Sequence, residues 1–219
     1  MGVELERSSA AALIRVLDDL AREPQNLTAV EGIRAGVERH LADSLAALAL
    51  PEVAAAASLV DLGSGGGFPG IPIAAARQSC RVTLVESERR KAEWLRRASA
   101  PFPNVRVVHA RTEELAAEER ETWSVATARA LGPLPVALEL AAPLVAVGGS
   151  AVVWRGSRDP DDEARAARAA RELGFGPGAV RPVDPFPGSE RHLYLAAKIA
   201  PCPARYPRRP GRAAHRPIA

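Results

Sequence analysis

The sequence predicts an α/β fold: a doubly wound, mostly parallel seven-stranded sheet with an N-terminal helical appendage. Three observations predict it. Short β-rich apolar runs alternate with helical patterns from residue 59 to 173, a glycine-rich loop follows the first run, and two further strands close the core. Alternation of this kind places crossover helices on both faces of a parallel sheet.

The elements follow in order. Leu5, Leu13, Ile14, Leu17 and Leu20 recur at helical spacing, which predicts an amphipathic helix over 5–22. Glu23-Pro24-Gln25-Asn26 ends it, because proline biases its predecessor out of the helix. Asn26-Leu27-Thr28 reads as a loop. A second helix is predicted from about Glu31 to Leu50, with Val37, Leu41, Leu45 and Leu48 on one face and Pro51 as its stop. Strands are predicted at Leu59–Leu62, Val82–Val85, Val105–Val108, Val125–Thr127 and Ala151–Trp154, all reading as buried. Helices are predicted near Ile71–Arg77, Glu88–Ala98, Glu113–Ala117, Leu134–Ala142 and Asp159–Leu173. Ala179–Val183 and Leu193–Ile199 complete the sheet as an antiparallel hairpin. The expected organisation is an appendage at 1–52, a core at 53–200 and a tail at 201–219.

Composition narrows the class. With 47% hydrophobic and 25% charged residues, the 219-residue chain is neither disordered nor collagen-like. Its apolar runs fall far short of the ~18 residues of a membrane span, and the acidic start Met-Gly-Val-Glu-Leu-Glu-Arg is unlike a signal peptide. A cytoplasmic protein with no membrane partner is expected. Cys80 and Cys202 have no metal-ligand spacing, so neither zinc nor a disulfide is expected.

Charge is concentrated at one end. Residues 201–219 carry Arg205, Arg208, Arg209, Arg212 and Arg216 and no acid, whereas the first 200 residues hold 24 basic against 26 acidic residues. A basic tail suits a polyanionic partner. Five prolines stiffen it. It is expected to contact RNA and to leave cofactor binding alone.

The clearest signal is Leu59-Val60-Asp61-Leu62-Gly63-Ser64-Gly65-Gly66-Gly67-Phe68-Pro69-Gly70. Five glycines within eight residues let the backbone turn tightly and approach a ligand, at a high entropic cost for a plain connection. Pro69 suits the first position of the helix that follows. The loop lies at a strand's carboxyl end, where ligands bind in such sheets. Two ligands compete. Gly65–Gly70 fits the dinucleotide fingerprint, and Asp61-Leu62-Gly63-Ser64-Gly65 fits the acid-x-Gly-x-Gly of S-adenosyl-L-methionine (SAM) methyltransferases. Glu86, ending the second strand, suits the ribose hydroxyls of either. Asp61 favours SAM, because an acid beside a sulfonium and an ammonium attracts, and beside a pyrophosphate it repels.

The acceptor chemistry is bounded by what is missing. Neither cysteine sits at a strand end as a nucleophile for cytosine C5. Ala128-Arg129-Ala130-Leu131-Gly132-Pro133 follows the fourth strand where exocyclic-amine enzymes carry Asn/Asp-Pro-Pro-aromatic. Methyl transfer to a ring nitrogen with a free lone pair, such as guanine N7, needs no general base, only placement and electrostatics.

These residues resemble a known family, RsmG or GidB, the bacterial 16S rRNA guanine-N7 methyltransferases. The resemblance rests on Asn26-Leu27-Thr28, Arg39-His40-Leu41-Ala42-Asp43-Ser44-Leu45, the glycine loop extended by Ile71-Pro72, Leu84-Val85-Glu86-Ser87, Lys91, Ala128-Arg129-Ala130 and Tyr206-Pro207-Arg208-Arg209-Pro210-Gly211. It covers nearly the whole chain. It implies a Rossmann-like class I methyltransferase fold, SAM as cofactor, and 16S rRNA or the small ribosomal subunit as partner, with a guanine of the 530 loop (position 527) as acceptor.

The resemblance also implies the site. Gly63 and Phe68 lie in the cofactor loop beside Asp61 and Gly65, Glu86 near the ribose, Thr112 and Glu113 near the adenine, and Arg129 in a catalytic and cofactor-binding position. Arg155, Tyr206, Arg208 and Arg209 are the candidate RNA contacts. An arginine leaving a buried strand, as Arg129 does, requires an anionic or hydrogen-bonding partner; the methionine carboxylate and an RNA phosphate both qualify. His40 and Asp43, three apart, share a helical face near the cleft. Phe68, Trp94, Trp123, Trp154 and Tyr206 are the aromatics offered for base stacking. Arg155-Gly156 stands where the family commonly has Lys-Gly, and Ala213-Ala214 where it often has proline and a polar residue. The oligomeric state is not written in the sequence, and a monomer is the working expectation. The competing functions are methylation of another RNA, a small molecule or a protein, nicotinamide-dependent redox chemistry, and a non-catalytic ribosome-assembly role.

Overall fold

A computed structural model describes residues 4–24 and 27–218. Gln25 and Asn26 of the predicted first loop lie outside them. The elements are α1 (Arg7–Ala21), α2 (Ile33–Gly36), a π-helical turn (Val37–Ala42), α3 (Asp43–Leu45), a 3-10 turn (Ala46–Ala49) and α4 (Pro51–Ala54). Then come β1 (Ser58–Leu62), α5 (Gly70–Ala76), β2 (Arg81–Glu86), α6 (Arg89–Ser99), β3 (Val105–His109) and α7 (Thr112–Glu118). β4 (Trp123–Arg129), α8 (Leu134–Ala141), β5 (Val145–Arg155), α9 (Pro160–Leu173), β6 (Ala179–Val183), β7 (Arg191–Ala197) and α10 (Arg212–His215) complete the chain.

The sheet runs β3-β2-β1-β4-β5-β7-β6. β7 alone runs opposite to the other six strands, so the sheet is mostly parallel, as the sequence predicts. Alternate residues of each strand feed opposite faces: Leu59 packs with α1, α5 and α6, and Val60 with α7, α8 and α9. Strand order reverses between β1 and β4, and the crevice outside their carboxyl ends is the expected ligand position.

Several expectations are corrected. β3 is not buried: it is the outer strand, and its residues are half-buried or exposed. On α1, Val16 is buried and Ile14 is 38% exposed. The predicted 31–50 helix is a broken one, starting at Ile33 and changing from α to π to α to 3-10; Leu41 and Leu45 are buried, but Val37 is exposed. Pro51 both stops it and opens α4, whose first amide needs no intrahelical partner. Phe68, Trp94, Trp123, Trp154 and Tyr206 are all buried, which leaves none free to stack on a base.

The tail is also more than a stiff basic arm. Tyr206 is 2% exposed and its hydroxyl donates to Glu172 of α9. Arg120 donates to the carbonyls of Cys202, Pro203 and Tyr206. Arg208 makes a two-pronged pair with Glu139 of α8, at 2.5 Å for each prong. The tail therefore packs along the core.

Candidate cofactor cleft and acceptor site

The glycine loop is shaped from beneath by two carboxylates. Glu86 accepts from Gly65 N–H at 3.0 Å and from Glu88 N–H at 2.9 Å. Asp61 accepts from the Thr127 hydroxyl at 2.8 Å and from Gly70 N–H at 3.3 Å. Trp94 Nε1–H donates to the Gly66 carbonyl at 3.3 Å. Gly65 has φ +51°, and a Cβ there would meet no protein atom closer than 3.8 Å. That backbone is open to a ligand. Gly70 has the opposite reason to be glycine: a Cβ would lie 2.2 Å from Leu84 Cδ2 and 3.0 Å from Asp61 Oδ2.

Asp61 does different work from that expected. It is 1% exposed and turned into the protein, so it positions the loop rather than facing a cation. Burial pushes its carboxyl up to about 6, against the lowering effect of the Thr127, Ser64 and Gly70 hydrogen bonds.

Beside the loop lies a cleft of about 230 Å3 lined by Gly63, Val85, Ser87, Thr112, Glu113 and Leu131. It brings together Gly63, from the end of β1, with Thr112 and Glu113, which follow β3. Thr112 is the first residue of α7 and not its cap, which is Arg111. Gly211, Ala213 and Ala214 of the tail line the same cleft, and Gly211 N–H donates to Glu113 Oε1 at 2.8 Å. The tail therefore does not stand apart from this cleft: the packing that buries Tyr206 and Ala213 carries the chain onto its rim.

A second cluster joins the loop to the appendage. Arg129, at the end of β4, donates to Asp43 Oδ2 at 3.0 Å and to the Arg39 carbonyl at 3.2 Å, and its other terminal nitrogen lies 3.1 Å from His40 Nδ1. Its guanidinium also lies over the Phe68 ring at 5.5 Å, and His40 stacks on that ring at 4.5 Å. Arginine only donates, so His40 Nδ1 accepts and its Nε2–H faces the Thr28 hydroxyl at 2.7 Å. Burial, then the nearby Arg129 charge, lowers the His40 pKa to about 4. Asp43 Oδ1 lies 3.4 Å from Arg191, and Trp154 donates to the Asp43 carbonyl at 2.9 Å. The π turn and the first residue of α3 set His40 and Asp43 on one face, as their spacing suggested, and both meet the Arg129 guanidinium there.

The candidate RNA contacts divide. Arg155 braces the loop after β4, donating to Gly132 O and to Asp162, each at 3.0 Å. Tyr206 and Arg208 are anchors, already satisfied by Glu172 and Glu139, and are corrected as free RNA contacts. Arg209 is exposed and makes no ion pair among the described residues. Sequence reasoning missed the tail's part in the cleft and the Asp43 partner of Arg129. Gly211, ending the Tyr-Pro-Arg-Arg-Pro-Gly motif, was the available signal for the first.

A family model described as GidB, rRNA small subunit methyltransferase G, matches residues 9–182. A Chloroflexus aggregans relative named ribosomal RNA small subunit methyltransferase G is 43% identical, over 99% of this chain and 93% of its own. One of the same name from Thermotoga neapolitana is 32% identical, over 99% and 95%. Among solved structures, a predicted O-methyltransferase from Agrobacterium tumefaciens superposes with TM-score 0.59 at 25% identity, covering 73% of this chain and 81% of that one. Aeropyrum pernix fibrillarin with bound S-adenosyl-L-methionine superposes with TM-score 0.57 at 17% identity, covering 71% and 73%, a likeness of fold.

Proposed function

Because the chain belongs to the rRNA small subunit methyltransferase G family, we propose that it methylates N7 of a guanine in the 530 loop (position 527) of 16S rRNA, with SAM as methyl donor. The observation that carries the reading is the glycine loop at the strand switch point, with an open Gly65 backbone held by Glu86.

The residues present fit the cofactor. The cleft is smaller than the ~300 Å3 at which whole-ligand pockets begin, so it takes one end of an elongated ligand and leaves the other on the loop. Thr112 and Gly63 flank the adenine end. Glu86 retains unshared lone pairs for the ribose hydroxyls. SAM supplies a methyl carbon on a positively charged sulfur. Guanine N7 brings its own lone pair: the N7–methyl bond would form as the sulfur–methyl bond breaks, the positive charge passing from sulfur to the base and S-adenosylhomocysteine leaving, so no side chain has to remove a proton. What the chain contributes is placement. Asp61 and Trp94 fix the loop, Arg129 holds an anionic cofactor or RNA group at the site, and the Arg129–Asp43 pair seats the appendage over Phe68.

The test is radiolabelled SAM with ribosomal RNA from a strain lacking this protein, followed by mapping of the labelled base. Label at N7 of that guanine is the expected result; label elsewhere, or none on free RNA and on small subunits, overturns it. In a parallel melt S-adenosylhomocysteine should stabilise the fold, by about 2.7 kcal/mol at a hundredfold excess over Kd, and NAD should not.

A further inference from the structure

The tail reaches the cleft by a series of attachments. Cys202 N–H donates to Glu121 at 2.7 Å, Arg120 holds three carbonyls, Tyr206 is tied to Glu172 and Arg208 to Glu139. The chain then arrives at Gly211, with φ +79°, turns there into α10, and buries Ala213. Gly211, Ala213 and Ala214 carry no side chain larger than a methyl group, so they line the cleft without filling it.

Glu113 is the point of closure. As the second residue of α7 its charge complements the helix dipole. One of its oxygens already accepts from Gly211 N–H. We propose that the tail is a wall of the cofactor site, latched by Glu113, and that Glu113 acts on the cofactor through this wall rather than by touching it. The inference rests on reading the cleft as the SAM site. Coupling is reciprocal: if a docked tail favours the cofactor, the cofactor favours tail docking by the same factor.

The test is a double-mutant cycle on S-adenosylhomocysteine affinity, read by calorimetry. The full chain and a chain ending at Pro210, which keeps Tyr206 and Arg208, are each measured with and without Glu113→Ala. Truncation should weaken binding about tenfold, within the usual range of site coupling. Glu113→Ala should weaken the full chain similarly and leave the truncated chain unchanged to within about twofold, since groups acting as one unit are not additive. An equal Glu113→Ala loss in both chains would mean direct contact, and an unchanged affinity on truncation would mean no wall; either overturns the proposal. A full chain that binds no S-adenosylhomocysteine defeats the cofactor reading itself, a separate failure. Trypsin gives a readout without any variant: saturating S-adenosylhomocysteine should slow cleavage after Arg212 about tenfold. Cleavage indifferent to the ligand would also overturn the wall.

Discussion

Arg129 leaves β4 with its charge already answered, by Asp43 from a helix 86 residues earlier in the chain. Burial logic demanded an anionic partner for this arginine, but no spacing rule links positions so far apart, so Asp43 was not legible in the sequence. The pairing changes what removal of Arg129 should do. Arg129→Ala should cut methyl transfer at least about a hundredfold, the scale of losing a preorganised charge in a site. It should also cost about 1–3 kcal/mol in denaturant unfolding, because Asp43 is left buried with only Arg191 nearby. A variant that loses stability but keeps most of its methyl transfer makes Arg129 structural. His40 gives a pH signature. Its folded pKa of about 4 lies below the ordinary 6.5, so between these values the unfolded chain binds more protons and the contribution of His40 to stability is lost as pH falls. Asp61 runs the other way, raised to about 6 by burial, and favours the fold as pH falls from 6 toward 3.8. Comparison with His40→Gln isolates the first effect: the stability advantage of the wild type over the variant should shrink from pH 6.5 to 4. An advantage constant over that range would mean that His40 is protonated in the folded protein.

At the scale of elements, most of the fold was legible. Most strands of the sheet contain an apolar β-rich run, and glycine and proline punctuate most loops, although Pro182 lies within β6 and Gly148-Gly149 within β5. What failed depends on neighbours. The exposure of β3 follows from its place at the edge, which no local pattern encodes. The break of the 33–49 helix into a π turn is likewise absent from the local pattern; the segment docks on α1, where a Cβ on Gly36 would lie 3.3 Å from Leu17 Cδ1. The glycine loop was legible as a ligand loop, but the separate reasons for its glycines were not, and they predict separate phenotypes. Gly70→Ala should lower stability by about 1–3 kcal/mol through overpacking against Leu84. At Gly65 a Cβ has room, so the stability loss of Gly65→Val should come chiefly from its left-handed backbone, at ~1–2 kcal/mol or more for a β-branched residue, while S-adenosylhomocysteine binding is lost. Thermal melts with and without ligand separate the two. A Gly65→Val protein that still gains a ligand shift would remove Gly65 from the cofactor path.

On the whole molecule, the charge asymmetry read from the sequence remains, but packing sorts the tail's arginines into two groups. Arg208 is spent on Glu139, whose side chain is 3% exposed, and Arg205 pairs with Glu172. Arg209, Arg212 and Arg216 point no charge at the core and are exposed beside the cleft wall. If RNA is drawn to this rim, the two adjacent arginines must behave differently. Arg209→Ala removes one phosphate contact and should flatten the log–log salt dependence of RNA affinity by roughly 0.7–0.9, with S-adenosylhomocysteine affinity unchanged. Arg208→Ala strands a buried carboxylate and loosens the strap, so it should weaken S-adenosylhomocysteine and lower the melting temperature while moving the RNA slope less. RNA affinity across a salt series and ligand calorimetry on both variants check the pair. Were Arg208→Ala to flatten the slope as much as Arg209→Ala without touching the cofactor, the Glu139 pair would have to open on RNA, and the tail would be an RNA arm rather than a wall that borders one.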